Sequence, residues 1–286
     1  MLKRAGRANV EDNSDNDFSL PTEPEEPGGG LNDFSFLIHG EKKIGKTKLS
    51  IQVEDGEKPA LLLQFDPPQI AYKRWEVVLE TFRKAKKVVR KLEKLAKSGS
   101  KKFPYSRVVV DRADTWYFLA EKFVKEKLVI EKMNDEAYGG AWTMLKEEFA
   151  DMVDRILRLP CGKWFLCHSI HETEENRHGQ EVTRLRPNLN KRADEILNGK
   201  VDGWFAYMYE GKDRVLVIQG DEFTGAGHRI DGHFLTPGGK RIRTIPMGGS
   251  AEEAYQNFVS AFNNKQEVTR AKGGETKKKR LKLKVR

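Results

Sequence analysis

The sequence predicts an α/β fold in which a largely parallel central sheet is flanked by helices. Short apolar runs, typical of buried strands, alternate along the chain with segments whose apolar residues recur every three or four positions, as in amphipathic helices. Strands and helices that alternate in this order build a parallel sheet, because each helix returns the chain to the starting edge. The 286 residues are enough for one such core with short extensions at its ends.

The predicted elements follow one another in a regular order. Strands are predicted at 34–39, 60–65, 106–111, 164–167, 205–209 and 215–219. Helices are predicted at 46–52, 70–96, 142–156 and 251–262. Beyond residue 201 the strands are shorter and a Gly-rich segment follows, which predicts a short C-terminal β-hairpin region beside the core.

Composition divides the chain into three regions. Residues 1–30 are rich in Asp, Glu, Asn, Pro and Gly and poor in large apolar residues, so we expect a disordered acidic arm. Residues 31–264 form the predicted core domain. Residues 265–286 carry ten Lys or Arg against two Glu, which gives 10 − 2 = +8 and predicts a disordered basic tail.

Charge and cysteine content restrict the class of protein. The formal net charge of +9 favours attraction to polyanions such as nucleic acid. The two cysteines, Cys161 and Cys167, do not suggest a disulfide framework, and the N-terminus lacks the apolar segment of a secretion signal. No apolar run is long enough to span a bilayer. The expected compartment is a reducing cytoplasm, with no role for a membrane.

A glycine-rich motif lies between the first predicted strand and the first predicted helix. Residues 40–47 match the pattern G-x-x-x-x-G-K-[ST], in which backbone N–H groups curl around phosphate oxygens. The predicted ATP-binding residues are Gly40, Glu41, Lys42, Lys43, Ile44, Gly45, Lys46, Thr47 and Lys48. Lys46 is expected to reach the β- and γ-phosphates, and the Thr47 hydroxyl to bind Mg²⁺. The alternative is a surface turn that matches by chance.

A second candidate metal ligand ends the third predicted strand. Asp111 follows three valines, the position from which a carboxylate orients Mg²⁺ in a P-loop ATPase. A strand-ending Asp that only caps a turn is the alternative. Asp114 is expected to cap the next helix or to support the metal ligands.

Taken together, these motifs resemble the RecA-like AAA-domain ATPases encoded by phages, a group that includes single-strand-annealing and recombination proteins. The resemblance extends from about residue 34 to residue 209. It rests on the 40–47 loop, the strand that ends at Asp111, the start of an amphipathic helix at 138–142 and the strand that ends in His168. It implies a RecA-like P-loop core, ATP and Mg²⁺ as cofactors, and DNA-stimulated ATP hydrolysis in recombination, annealing or repair.

The resemblance also implies two further catalytic residues. A polar residue at the end of the later strand senses the γ-phosphate in RecA-like ATPases, and His168 occupies that position, with His171 as a competitor. An acidic residue after the second strand orients the attacking water, which here corresponds to Asp66. The family usually has glutamate there, and the aspartate of this chain is one methylene shorter.

The segment after His168 is the predicted contact with nucleic acid. In RecA-like proteins the corresponding loop touches single-stranded DNA, and here residues 169–192 contain the basic residues Arg177, Arg184, Arg186, Lys191 and Arg192. The segment lacks an internal aromatic residue on which a base could stack. The alternative is a solvated loop whose charge is balanced by Glu172, Glu174 and Glu175.

The predicted partners are single-stranded DNA, further copies of the same chain in a ring or filament, and a single-strand binding or replication protein. Arg229, Lys240 or Arg241 could supply a basic finger to a neighbouring subunit, as RecA-like assemblies do. If the chain is phage-encoded, the compartment is the host cytoplasm. Two other functions remain open: an ATP-dependent switch that recruits a partner with little hydrolysis, and a P-loop kinase acting on a small molecule.

Overall fold

The structure is a computed structural model that describes residues 29–66, 73–175 and 179–266. The predicted disordered arm and tail, 1–30 and 265–286, lie almost entirely outside the described residues. Along the described chain the elements are β1 (Ser35–Gly40), α1 (Lys46–Ser50), β2 (Ala60–Gln64), β3 (Trp75–Val78), α2 (Phe82–Ala96), β4 (Arg107–Asp111), α3 (Ala113–Leu128), α4 (Gly140–Leu157), β5 (Gly162–Glu175), β6 (Glu181–Pro187), α5 (Lys191–Lys200), β7 (Gly203–Glu210), β8 (Asp213–Val217), β9 (Gly227–His228), β10 (Thr244–Pro246) and α6 (Ala251–Phe262).

One sheet organises the described chain. Its strand order is β10-β8-β7-β1-β5-β4-β2-β3, and the six strands from β7 to β3 run parallel. The antiparallel pairs lie at the margins: β8 pairs with β7 and β10, β9 pairs with β7, and β6 pairs with the second half of β5. The predicted α/β fold with a mostly parallel sheet and flanking helices is confirmed.

The core consists of two apolar layers, one on each face of the sheet. Side chains alternate between the faces along each strand, so the neighbours Trp164 and Phe165 of β5 enter different layers. Phe165 packs with Trp116 of α3, while Trp164 meets Phe258 of α6 with ring centroids 5.4 Å apart. Among the described residues, no helix combines the length and apolar character that crossing a membrane requires.

A buried arginine joins the P-loop helix to the sheet. Arg107 of β4 is completely buried, and its guanidinium donates to the carbonyl oxygens of Ser50 and Gln52 at 2.9 and 3.1 Å. The same group donates to the Tyr255 hydroxyl at 3.1 Å and lies 4.2 Å from the Trp164 ring. Because these carbonyls lie at the end of α1, Arg107 holds that helix against β4 and α6.

The predicted helix at 70–96 is wrong in its first third. Residues 75–78 form β3, a parallel strand beside β2, and residues 67–72 lie outside the described chain. The helix itself begins at Phe82, because the Thr81 hydroxyl accepts a hydrogen bond from the backbone N–H of Lys84 at 3.2 Å and caps it. Three of the four residues of β3, Trp75, Val77 and Val78, are aromatic or β-branched, which favours a strand.

The loop expected over 169–192 from the resemblance is instead largely a hairpin followed by a helix start. The strand predicted at 164–167 continues as β5 to Glu175 and folds back as β6, pairing Ser169 with Pro187 through Glu175 with Glu181. Cross-strand pairs favour this arrangement: Thr173 lies opposite Thr183 with their hydroxyls 3.0 Å apart, and Glu172 lies opposite Arg184. Asn190 then caps α5 by accepting a hydrogen bond from the Arg192 backbone N–H.

Candidate nucleotide-binding site

The predicted P-loop follows the strand at the centre of the parallel sheet. β1 lies between β5 and β7, and its last residue, Gly40, pairs with His168 on one side and Tyr207 on the other. A side chain at Gly40 would place its Cβ 2.3 Å from the Tyr207 carbonyl oxygen, so only glycine fits. Gly45 has φ = 113°, a left-handed conformation that favours glycine, and Ile44 is buried in the core beneath the loop.

Lys46 is folded back under this loop. Its ammonium donates to the carbonyl oxygens of Gly40 and Glu41 at 2.8 and 2.7 Å, and the side chain is buried. Burial lowers the pKa of Lys46 from 10.5 to about 8, because a charged group loses solvation there. Among the described residues no carboxylate oxygen lies within 4 Å of this ammonium. A buried cation held only by carbonyl groups is suited to an incoming anion.

The two predicted metal ligands meet directly. The Thr47 hydroxyl donates to Asp111 Oδ2 at 2.6 Å, which joins the first turn of α1 to the end of β4. Burial raises the pKa of the Asp111 carboxyl, and the hydrogen bond from Thr47 opposes that effect. Hydroxyl and carboxylate oxygens are the ligands that Mg²⁺ prefers, and Mg²⁺ usually takes only one or two carboxylates beside phosphate oxygens. The chemistry of this pair therefore fits magnesium.

Neighbouring strand ends place His168 and Asp66 at the same edge of the sheet. Gly40 is in register with His168, and Asp111 is in register with Gln64, two residues before Asp66. His168 is half-buried, and its pKa is lowered to about 4, first by burial and then by the positive charge of Arg112, Lys46 and Lys42. His168 is therefore neutral at physiological pH, and the P-loop lysines act on it electrostatically.

Arg112 is a member of this edge that the sequence interpretation missed. Its Nε lies 3.1 Å from both Asp66 Oδ2 and Asp114 Oδ1, and its Nη2 donates to the Thr115 hydroxyl at 3.0 Å. Its Nη1 lies 3.5 Å from His168 Nε2. The available signal was its position, directly after the strand-ending Asp111. Asp114, which was expected to cap a helix or support the metal ligands, is an ion-pair partner of Arg112.

Arg214 of β8 is a second residue without a sequence signal. Its guanidinium donates to the Gly248 carbonyl oxygen through Nε and Nη2, at 3.0 and 2.7 Å, and to the Ile44 carbonyl oxygen through Nη1 at 3.4 Å. These contacts tie the P-loop to the segment before α6. Arg214 lies 170 residues from Ile44 in sequence, and no sequence motif predicts a contact over that distance.

The basic residues predicted to bind DNA are separated by the hairpin. Arg186 is held by Glu172 at 2.6 Å and Glu174 at 3.1 Å across the β5–β6 pair, so its charge is balanced within the hairpin. Arg184 donates to the Asp221 carbonyl oxygen at 3.4 Å. Arg177 lies outside the described residues. The balanced-charge alternative therefore describes Arg186 well.

Lys191 and Arg192 lie apart from the hairpin, at the exposed start of α5. The Arg192 guanidinium lies over the ring of Trp142 in α4, 4.6 Å from its centroid. Tyr138, four residues before Trp142, is fully exposed. The segment 169–192 has no aromatic residue of its own, and Trp142 of α4 places one beside Arg192.

The three candidates for a basic finger lie beyond β8. Arg229 donates to the Lys200 carbonyl oxygen at 2.8 Å and lies 3.4 Å from Asp202, so it is engaged within the chain. Lys240 and Arg241 are exposed on a turn closed by a bridge between Leu235 and Arg241, not on a regular hairpin.

One family of known proteins matches most of this chain. A family model described as an AAA domain matches residues 32–230. A search of curated proteins found no match. Among solved structures, the chain is similar to a KaiC-like protein from the hyperthermophilic archaeon Pyrococcus horikoshii OT3, with a TM-score of 0.44 and 11% identity over 77% of this chain and 88% of that chain.

Proposed function

Because the chain belongs to the AAA domain family, we propose that it is a magnesium-dependent ATPase whose nucleotide state controls its contact with single-stranded DNA. An AAA-type P-loop fold is a fold for binding and hydrolysing ATP. The metal requirement, the DNA and the coupling between them are the proposal. Each is supported by a separate set of contacts.

The P-loop supports the nucleotide and metal roles. Lys46 would neutralise the β- and γ-phosphates from its buried position, and the loop N–H groups would donate to their oxygens. Thr47 and Asp111, already 2.6 Å apart, would hold Mg²⁺ between them and the phosphates. Magnesium would supply charge neutralisation at the phosphates. Asp66 would orient or deprotonate the attacking water.

One observation carries the proposed coupling: β5 is continuous from the nucleotide site into the hairpin. Its residue His168 stands beside Gly40 at the end of the P-loop strand, and the next residue, Ser169, begins the pairing with β6. A shift of His168 toward or away from a γ-phosphate would therefore move the base of the hairpin directly. Close-packed interiors transmit such shifts instead of absorbing them.

The DNA contact is best supported at the start of α5. Lys191 and Arg192 are exposed and carry no ion pair within the described chain, and Trp142 offers an aromatic face beside Arg192. A cation beside an aromatic ring is the combination that sequence-independent single-strand binding uses. Arg184 and the undescribed Arg177 are further candidates. Arg186, with two glutamate partners, contributes less.

Because its motifs resemble those of phage RecA-like ATPases, we also propose that the protein acts in phage-type recombination, annealing or repair in the cytoplasm. It would act as a ring or filament, together with a single-strand binding or replication protein. Lys240 and Arg241 are the better candidates for a finger that enters a neighbouring subunit, because Arg229 is held by Asp202 and Lys200.

A second candidate function is supported by the contacts of Asp66. Both of its carboxylate oxygens are engaged, one by Arg112 and the other by the Thr115 hydroxyl. A carboxylate whose two oxygens are both engaged is not free to bind the attacking water, which favours an ATP-dependent switch with slow hydrolysis. The two candidates differ in turnover, not in nucleotide binding.

The first experiment measures ATP hydrolysis with Mg²⁺, with and without single-stranded DNA, in the wild type and in Lys46→Ala. We expect turnover that DNA stimulates and that Lys46→Ala abolishes. Turnover without DNA dependence would remove the coupling, and tight ATP binding without turnover would favour the switch. Unchanged ATP hydrolysis in Lys46→Ala would contradict the assignment of the nucleotide-binding site to the P-loop.

DNA affinity measured against salt concentration tests the interface. Arg192→Ala should reduce the slope of log affinity against log salt by about 0.7, because one phosphate contact with a single strand is lost. Arg186→Ala is the matched control and should leave the slope nearly unchanged, since Arg186 is already neutralised by Glu172 and Glu174. The reverse ranking would move the contact to the hairpin.

A further inference from the structure

Arg112 lies where the residues of the candidate active site converge, and ATP binding by the P-loop leaves its role unexplained. Its Nε faces the carboxylates of Asp66 and Asp114 at 3.1 Å each. Its Nη1 lies 3.5 Å from His168 Nε2. One guanidinium thus contacts two carboxylates and an imidazole, at the edge of the sheet where the strands end.

The contact with Asp66 occupies both oxygens of that carboxylate. Oδ2 faces Arg112, and Oδ1 accepts a hydrogen bond from the Thr115 hydroxyl at 3.0 Å. Thr115 also accepts a hydrogen bond from Arg112 Nη2 at 3.0 Å, so the three side chains form a closed set. In this arrangement Asp66 is paired with a cation, and both of its carboxylate oxygens are occupied by partners within the chain.

Arg112 borders the phosphate-binding loop, because its Nη1 lies 3.5 Å from His168 Nε2 and His168 pairs with Gly40 at the start of that loop. Its positive charge acts on both Lys46 and His168, and Lys42 and Lys46 also act on His168. These cations therefore share one region of the site. Arginine binds phosphate and carboxylate with the same forked geometry, so a phosphate at this position would compete with Asp66 for the guanidinium.

We propose that Arg112 exchanges partners: it holds Asp66 in the nucleotide-free protein and turns to the γ-phosphate when ATP binds, which releases Asp66 toward the attacking water. Arg112 is then a positioning residue that couples occupancy of the site to activation of its base. It also distinguishes ATP from ADP, because ADP lacks the phosphate that draws it away. This inference rests on the proposed roles of the P-loop and Asp66 and adds their regulation.

The exchange predicts effects of opposite sign on ATP affinity. Arg112→Gln should weaken ATP binding about tenfold, the effect expected for the loss of one charged hydrogen bond, and should change ADP binding less than twofold. Asp66→Asn should tighten ATP binding several-fold, because Arg112 no longer leaves a carboxylate to reach the phosphate. In the double variant this gain should disappear.

Isothermal titration calorimetry with Mg²⁺ and a non-hydrolysable ATP analogue, and with Mg²⁺-ADP, in the absence of DNA, measures all of these affinities without turnover. Arg90→Gln, an exposed arginine on α2 without an ion pair in the described chain, is the control for loss of a positive charge and should leave both affinities unchanged. Arg112→Lys keeps the charge without the fork and should restore part of the ATP affinity. Thermal unfolding confirms that each variant is folded.

Equal weakening of ATP and ADP in Arg112→Gln would overturn the exchange and leave Arg112 with a structural role. Unchanged ATP affinity in Asp66→Asn would overturn it as well, and that variant tests the exchange even if Arg112→Gln does not fold. Because neither DNA nor turnover enters the measurement, a failure of DNA stimulation does not affect the result. A wild type that binds no nucleotide would instead refute the proposed function.

Discussion

Replacing Lys46 with methionine tests whether the P-loop holds a desolvated cation before any nucleotide arrives. The substitution keeps an unbranched side chain of similar length and removes the ammonium. Burial lowers the pKa of Lys46 from 10.5 to about 8. Since one pKa unit corresponds to about 1.4 kcal/mol, the charged form costs the folded protein about 3 kcal/mol at pH 7.

The sign of the pH effect follows from that difference. Below pH 8 the folded wild type carries the full cost of a buried ammonium. As the pH rises from 8 to 10.5, the folded protein releases the proton before the unfolded chain does, and the cost is lost. The free energy of unfolding of the wild type, relative to Lys46→Met, should therefore increase by about 2.5 kcal/mol between pH 7 and pH 10.

Urea denaturation of both proteins at several pH values between 7 and 10 measures this difference, and effects common to both proteins cancel. Lys122→Met, at an exposed position on α3, is the control, and its free energy of unfolding should change with pH as that of the wild type does. A bound triphosphate supplies negative charge to Lys46, so saturating ATP should reduce the pH dependence of the wild-type free energy of unfolding. A difference between wild type and Lys46→Met that stays constant, or falls as the pH rises, would refute the assignment of a desolvated ammonium.

Three further substitutions test the surroundings of the loop. Thr47→Val, which removes the hydroxyl at nearly constant shape, should raise the Mg²⁺ concentration needed for half-maximal ATP turnover at least tenfold, whereas Thr47→Ser should stay near the wild type. His39 is fully buried with a pKa of about 4, so the wild type should lose about 2.5 kcal/mol of stability between pH 6.5 and pH 4 as the unfolded chain takes up the proton. His39→Gln should remove that part of the acid dependence in urea titrations. Arg107→Met leaves the carbonyl groups at the end of α1 unpaired and should lower the free energy of unfolding by about 3 kcal/mol. Calorimetry should show this as a fall in Tm of roughly 10 °C. An unchanged Tm would show that Arg107 does not hold α1 against the sheet.

Features with a local physical cause could be predicted from the sequence. The final helix was predicted at 251–262 and is observed as Ala251–Phe262, because Ser250 caps it and its apolar residues recur at helical spacing. The P-loop was predictable for a similar reason: Gly40 and Gly45 are required by a close backbone contact and a left-handed turn within eight residues of one another.

Features that depend on distant parts of the chain could not be predicted in this way. Strand β3 was hidden because a short apolar run beside a long charged helix fits the helical pattern as well as a strand. The contact between Arg192 and Trp142 joins the starts of two helices that are 50 residues apart in sequence. Arg112 follows Asp111 in sequence, but its role depends on contacts with Asp66, just after β2, and His168, on β5.

A second route from the P-loop to the hairpin strengthens the case for coupling. His39 precedes Gly40, and its ring is buried beside Trp204. Because His39 is neutral, its Nε2 donates to the Gly225 carbonyl oxygen at 2.8 Å, which leaves Nδ1 to accept from the Ser169 hydroxyl at 2.9 Å.

Both partners of His39 belong to the base of the hairpin. Ser169 is its first paired residue, and the backbone N–H of Gly225 donates to the Leu185 carbonyl oxygen of β6 at 2.8 Å. The hairpin is therefore attached to the P-loop strand through His39 and to His168 through β5. With both attachments buried or half-buried, a change at the nucleotide edge has few ways to dissipate before it reaches the hairpin. For this reason we expect the response to ATP to appear at the hairpin and at the adjoining start of α5, before it appears at β3 on the far side of the sheet.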